Sequence, residues 1–233
     1  MSYHIYCLNY GDKRTATITA SFAAVGLSDK VTFCPGISMQ TLKEANNNRR
    51  EPRHYFYMVC SILLGHISMI QHYLDTSDEE FAIFCENDIR IHRDIKKKLP
   101  DYLSEMKKFE LDILRLGYFV RSGIYLTNLE HITPTIFKNR GFLEIYGAQM
   151  YILTRAQCEK YVKKYTMQYF LANQFNPQVS YYPDNTVVVD GNMAVVYPML
   201  AIEYIPDDWV SEHGDNTEYQ RDSCKFNLTD DYL

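Results

Sequence analysis

The segment Phe81-Ala82-Ile83-Phe84-Cys85-Glu86-Asn87-Asp88-Ile89-Arg90-Ile91 runs from an apolar stretch straight into two carboxylates and a carboxamide. Ala82 to Cys85 is uninterrupted apolar sequence, the pattern of a central strand covered on both faces. Polar groups that follow such a strand emerge at the C-terminal edge of the sheet, where open α/β sheets bind ligands. Glu86 and Asp88 lie two positions apart, so extended geometry aims both side chains the same way. Two oxygen donors in that place suit a hard cation, Mn²⁺ or Mg²⁺, carrying a diphosphate. A strand that ends in an acidic turn is the plainer alternative.

The elements that must position these residues read as α/β. His4 to Leu8 has a strand pattern, and Asn9-Tyr10-Gly11-Asp12-Lys13-Arg14 is a polar turn. A helix is predicted from Thr15 to Val25 with Gly26 as its C-cap, and a short strand over Val31–Cys34 closes a βαβ unit. Ser38 to Pro52 is polar and reads as a loop. Tyr55 to Leu74 has apolar residues at helical spacing and no Pro, which predicts a long buried helix. A short helical stretch over Asp94–Met106 is expected to break at Pro100. Strands are expected over Leu111–Leu116, Ile124–Leu126 and Tyr146–Leu153, the last leading into a helix capped by Thr154 and reaching Tyr165. Val187–Val189 and Ala194–Tyr197, around Asp190-Gly191-Asn192, read as a hairpin or as two sheet strands joined by a tight bend.

At 233 residues the chain is long enough for one α/β domain with a large core, and its hydrophobic (46%) and charged (23%) fractions are ordinary for a globular protein. A net charge of −5 argues against a nucleic-acid partner. The six cysteines are scattered without metal or disulfide spacing. Met1 to Tyr6 runs directly into a strand pattern without the shape of a signal peptide. No apolar run reaches the length of a membrane span. The expected setting is therefore the reducing cytoplasm. The expected division is a domain over residues 1–206 and an acidic, polar C-terminal arm over 207–233.

Six segments follow one another in order: Asn9 to Arg14, Leu63-Leu64-Gly65-His66-Ile67-Ser68, Phe84 to Asp88, Leu111-Asp112-Ile113-Leu114-Arg115-Leu116-Gly117, Tyr146 to Thr154, and Tyr182-Pro183-Asp184 with Val195-Val196-Tyr197-Pro198. The series resembles glycosyltransferase family 25, which includes bacterial lipooligosaccharide galactosyltransferases and the collagen galactosyltransferase domain. It spans roughly residues 4 to 204. The chain departs from the family at Gly65, which replaces a Ser, and at Asn87, which replaces the middle acid of the acidic motif. Arg50-Glu51-Pro52 is only a loose substitute for a family Gly-Glu.

The resemblance implies a GT-A-like single domain with a mixed, mostly parallel sheet flanked by helices. It implies a metal-dependent, inverting transfer of a hexose, galactose or glucose, from a UDP-sugar. The acceptor would be a hydroxyl on a glycan, a protein or a lipid carrier, and a homodimer is left open. Asp88 is then the metal ligand, with Glu86 a second ligand or a carboxylate orienting the sugar or a metal-bound water. Asn9 and Arg14 would meet the nucleotide in the first βα turn, with Lys13 as the alternate cation. His66 would brace the nucleotide side, and Asp112 could be a further acid near the sugar. The base that takes the acceptor proton would be Asp184, or failing that Asp190. The alternative is a non-catalytic relative that keeps the fold for binding or scaffolding.

Overall fold

We analysed a computed structural model of the chain, which describes residues 2–46, 55–120, 129–139, 145–203, 227 and 229–233. The first βαβ unit forms as the apolar pattern dictates: β1 (Ile5–Asn9), α1 (Asp12–Ala24) and β2 (Val31–Pro35), with Gly26 at φ 68° just past the helix end. There follow α2 (Met39–Asn46), α3 (Phe56–Thr76), β3 (Phe81–Glu86), β4 (Ile89–Ile91), α4 (Ile95–Lys108) and β5 (Ile113–Val120). The chain continues through β6 (Leu129–His131), β7 (Ile136–Asn139), β8 (Ile145–Thr154), α5 (Arg155–Lys164), α6 (Met167–Asn173), β9 (Met193–Val196) and β10 (Ala201–Glu203).

The fold class is the expected one, a mixed α/β sheet with helices on both faces. Among the described residues the main sheet has eight strands in the order β2-β1-β3-β8-β5-β9-β7-β6. β1, β2, β3, β5 and β9 run the same way, while β8 sits antiparallel between β3 and β5. β4 pairs with β10 in a separate ribbon. Alternation along β3 sends Ile83 and Cys85 to one core, with Ile18 and Phe22 of α1 and Leu99 and Leu103 of α4. Ala82 and Phe84 go to the other, with α3, Cys158 of α5 and Phe170 of α6. Each fully buried side chain of this kind contributes about 1.5–3 kcal/mol.

α3 is apolar around most of its circumference, as befits a helix pressed against a sheet and further helices. Thr154 caps α5, accepting from the Gln157 amide at 3.2 Å.

Four local expectations are corrected. Residues 39–46 of the expected Ser38–Pro52 loop form α2, anchored by buried Leu42 and Asn46; residues 47–52 lie outside the described residues. α4 continues through Pro100, because its apolar stripe of Leu99, Tyr102, Leu103 and Met106 outweighs one lost helical hydrogen bond. Val187–Val189 is a buried turn, and β9 pairs parallel with β5 rather than in a hairpin. The last residues of the expected arm dock on the domain: Tyr232 is buried, and Leu233 exchanges backbone hydrogen bonds with Ile91 at 2.9 and 3.3 Å. The expected strand at 124–126 lies outside the described residues, as do residues 204–226.

Candidate functional site

β1 and β3 are parallel neighbours, with Leu8 opposite Glu86, so both strands deliver their polar ends to one edge of the sheet. Asn9 Oδ1 holds that edge together. It accepts from the Gly11 amide at 2.9 Å, the Thr15 hydroxyl at 2.6 Å and the Asn87 carboxamide at 3.2 Å. Asn9 therefore shapes the first βα turn, and position 87 needs a donor. An acid there would set one acceptor against another. Tyr10 crosses to α3, where its hydroxyl donates to the Ser61 carbonyl at 3.0 Å. It passes over Gly65, where an added Cβ would collide with that hydroxyl, which gives the Gly at this position a physical reason.

The strand ends at Glu86, and Asn87 and Asp88 form a bend. The two carboxylates are thus set by separate partners, not by strand alternation. Glu86 Oε1 lies 3.1 Å from His66 Nε2, and His66 Nδ1 lies 2.8 Å from the Tyr151 hydroxyl. Burial pushes the Tyr151 phenol far above its ordinary range, so it keeps its proton. Because a carboxylate only accepts, the Glu86 contact sets the His66 tautomer that leaves Nδ1 to the Tyr151 hydroxyl. The proton on Nε2 is then free to reach Glu86. His66 is fully enclosed in α3, a brace between β8 and β3.

Asp88 receives Arg14 Nη1 on Oδ2 at 2.8 Å. Arg14 is 58% exposed, so this pair adds little stability and leaves the guanidinium at the solvent rim. The Lys13 side chain lies outside the described residues. Asp88 is lopsided: its side chain keeps 24% exposure, while Oδ1 is enclosed and has no hydrogen-bond partner among the described residues. Burial, and then the Glu86 charge, push the Asp88 carboxyl up to about 6 against the pull of Arg14.

Asp184 joins this group from a single 3₁₀ turn, Pro183–Asn185, whose Pro183 is buried. Burial, and then Glu86, raise its carboxyl to about 6, while Arg115, His66 and the Gly147 amide pull it down. Arg115 lies inside the sheet on β5, and its guanidinium donates to the Val188 carbonyl at 3.0 Å and the Ile145 carbonyl at 2.9 Å. Burial lowers it to about 10 and the Asp184 charge opposes that shift. Gly147, at φ 98°, has no room for a Cβ, which would sit inside the buried Gln149 carboxamide. Gln149 Oε1 itself has no partner among the described residues.

Three carboxylates thus share one edge with a rim arginine and a buried one, and two of the three resist ionisation. Among the described residues no three His, Cys, Asp or Glu side chains are close enough to cage a metal. A Mn²⁺ or Mg²⁺ ion bound together with a diphosphate needs only one or two carboxylates, because phosphate oxygens and water complete its shell. Asp88, with its unpartnered enclosed oxygen, and Glu86 fit such a role.

Asp112 and Asp190 are not brought to this edge. β5 runs parallel to β3, so Asp112, just before β5, lies level with Phe81 at the opposite edge, roughly 17 Å of strand away. Its Oδ2 accepts the Asn192 amide at 2.7 Å and latches the turn before β9. Asp190 is at that same edge at φ 69°, with Lys160 and Lys164 3.2 and 3.3 Å from its carboxylate. Those lysines hold its carboxyl below the usual range, and an exposed, already paired acid so far from Glu86 is surface turn chemistry. Sequence reasoning missed Tyr151, Gln149 and Arg115. A charged residue between Leu114 and Leu116, mid-strand, is the signal that could have singled out Arg115.

No protein-family model matches the chain, and none of the curated proteins does. Solved structures are similar at low identity. A glycosyltransferase involved in glycosylation of the major capsid of PBCV-1 shares 8% identity over 95% of this chain and 98% of its own, with TM-score 0.48. The protein A197 from STIV shares 12% over 88% and 87%, with TM-score 0.45. The inositol-1-phosphate CTP transferase from T. maritima shares 11% over 96% and 95%, with TM-score 0.40. At such values a shared chain path is no guide to substrate.

Proposed function

We propose that the chain is a glycosyltransferase that moves a hexose, galactose or glucose, from a UDP-sugar to a hydroxyl acceptor with inversion, using a divalent cation. The observation that supports this best is the convergence of Glu86, Asp88 and Asp184 at the C-terminal edge of β3, with Asp88 and Asp184 held near 6. The resemblance of the ordered motifs to glycosyltransferase family 25 supports it as well.

In this reading Asp88 and Glu86 would hold the cation, which would supply positive charge against the diphosphate leaving group. Arg14, at the exposed rim, swings from Asp88 to a phosphate oxygen. The Tyr151–His66 pair fixes Glu86, and Asn9 and Asn87 fix the turn beside it. Asp184 is the base. A carboxyl titrating near 6 is ionised at neutral pH yet basic enough to accept a proton as the acceptor oxygen attacks. The acceptor O–H bond breaks toward Asp184, the new C1–O bond forms, and the C1–O bond to the diphosphate breaks with UDP leaving.

Asn87, which spends its carboxamide on Asn9 where the resembled motif has an acid, favours a second reading, a binding relative that does not turn over. Calorimetric titration of UDP with and without Mn²⁺ separates the outcomes. UDP binding strengthened by Mn²⁺ and weakened in Asp88→Asn is expected. Failure of UDP to bind in either condition removes the proposal.

A further inference from the structure

Beyond the sheet edge lies a second concavity. α3 runs from its His66 level toward Phe56, ten residues and about 15 Å past the carboxylates. Its first turn, residues 174–182 and Asn185 line a cleft of about 540 Å³, within the range of small-molecule sites. Tyr182 and Asn185 line it, and these residues flank Asp184 in its 3₁₀ turn. One short piece of chain therefore faces the cleft with its ends and the carboxylate group with its middle.

The lining is of one chemical kind. None of the described residues around the cleft is ionisable at neutral pH; they are aromatic, aliphatic, carboxamide and hydroxyl side chains. Tyr55, Phe175 and Tyr182 each keep 54% of their surface exposed there, although most of the described aromatic residues are buried. The wall behind them is rigid. Tyr181 meets Phe56 edge-on at 5.0 Å and Phe170 at 5.8 Å, and its hydroxyl donates to the Asn173 carbonyl. On the floor, Gln174 is 9% exposed, and its Oε1 has no donor among the described residues. Flat apolar faces interleaved with carboxamides match a ligand whose own surface alternates C–H faces and hydroxyls and which carries no charge. A phosphorylated or acidic ligand would find no cation among the described lining residues, and a lipid chain would strand the amides unpaired.

We propose that this cleft binds the acceptor, an uncharged saccharide of more than one ring, laid on Phe175 and Tyr182 so that its terminal hydroxyl crosses the 3₁₀ turn to Asp184. The inference rests on the transferase reading for the role of the hydroxyl, but not for binding itself. A saccharide of several rings is required because none of the three carboxylates lines the cleft itself.

The test uses the full chain with lactose, cellobiose and maltotriose as probes, followed by saturation-transfer NMR, beside an anionic disaccharide and an uncharged peptide. Phe175→Ala and Tyr182→Ala are the variants; both side chains are exposed, so folding is retained. Binding of at least one neutral probe, weakened about tenfold or more in either variant with UDP affinity unchanged, is expected. No neutral probe binding, equal binding by the variants, or preference for the anionic sugar or the peptide overturns the inference. Saccharide binding without UDP binding would keep the cleft and remove the transferase reading.

Discussion

Replacing Asp184 by Asn should stabilise the protein at neutral pH. The carboxyl is displaced from an ordinary value of 3.8 to about 6, net of the favourable pull of Arg115, His66 and Gly147. A raised carboxyl contributes stability fully below its unfolded value, and that contribution is lost as pH rises through the folded value. Above both, ionised Asp184 therefore costs about 3 kcal/mol, with solvent access reducing this toward about 1. Asn keeps the shape and an acceptor for the Gly147 amide but cannot ionise. Urea unfolding at about pH 7.5 should show Asp184→Asn more stable than the parent by about 1–3 kcal/mol, and the gain should vanish once the pH falls to about 3, below the unfolded value. A carboxylate kept where an amide is more stable is what a chemical role requires. A variant less stable than the parent at neutral pH, or a gain that persists in acid, would show that Asp184 is a structural partner of Arg115 and refute the reasoning.

Arg115→Met should behave in the opposite way. It leaves the Val188 and Ile145 carbonyls without their donor and Asp184 without a counter-charge, and a loss of about 3–5 kcal/mol in denaturant unfolding is expected. Gly147→Ala should cost about 1–3 kcal/mol, because φ 98° and the Gln149 carboxamide both exclude a Cβ; an unchanged unfolding midpoint would contradict the geometry. Tyr151→Phe removes the hydroxyl 2.8 Å from His66 Nδ1 and should cost about 1 kcal/mol in the same assay. It should also loosen Glu86, read as weaker Mn²⁺ binding.

The strands and α3 were legible because their apolar runs are long and unbroken. Ala82 to Cys85 announced both a buried strand and the place where its carboxylates emerge. α2 was not legible, since its buried side is little more than Leu42 and Asn46 within a polar stretch. Val187–Val189 has β-branched composition, yet side chains take the place of a strand ladder. Arg115 holds the Val188 carbonyl, Tyr161 that of Val189, and Gln157 and Lys160 that of Asp190. Donors brought from β5 and α5 cannot be seen in a local pattern. The same limit applied to the acids. Glu86, Asp88, Asp184, Asp112 and Asp190 look alike in a sequence, and only strand direction, with the placing of one 3₁₀ turn for Asp184, separates the first three from the last two.

The account stands on the carboxylates at the end of β3 serving a nucleotide-sugar. The direct measurement is release of UDP from UDP-galactose and UDP-glucose by the parent protein, with Mn²⁺ and with chelator, repeated on Asp88→Asn and Asp184→Asn. Mn²⁺-dependent release that falls at least about a hundredfold in both variants is predicted. Release that survives both substitutions, or no release from either sugar nucleotide with Mn²⁺ present, contradicts the account.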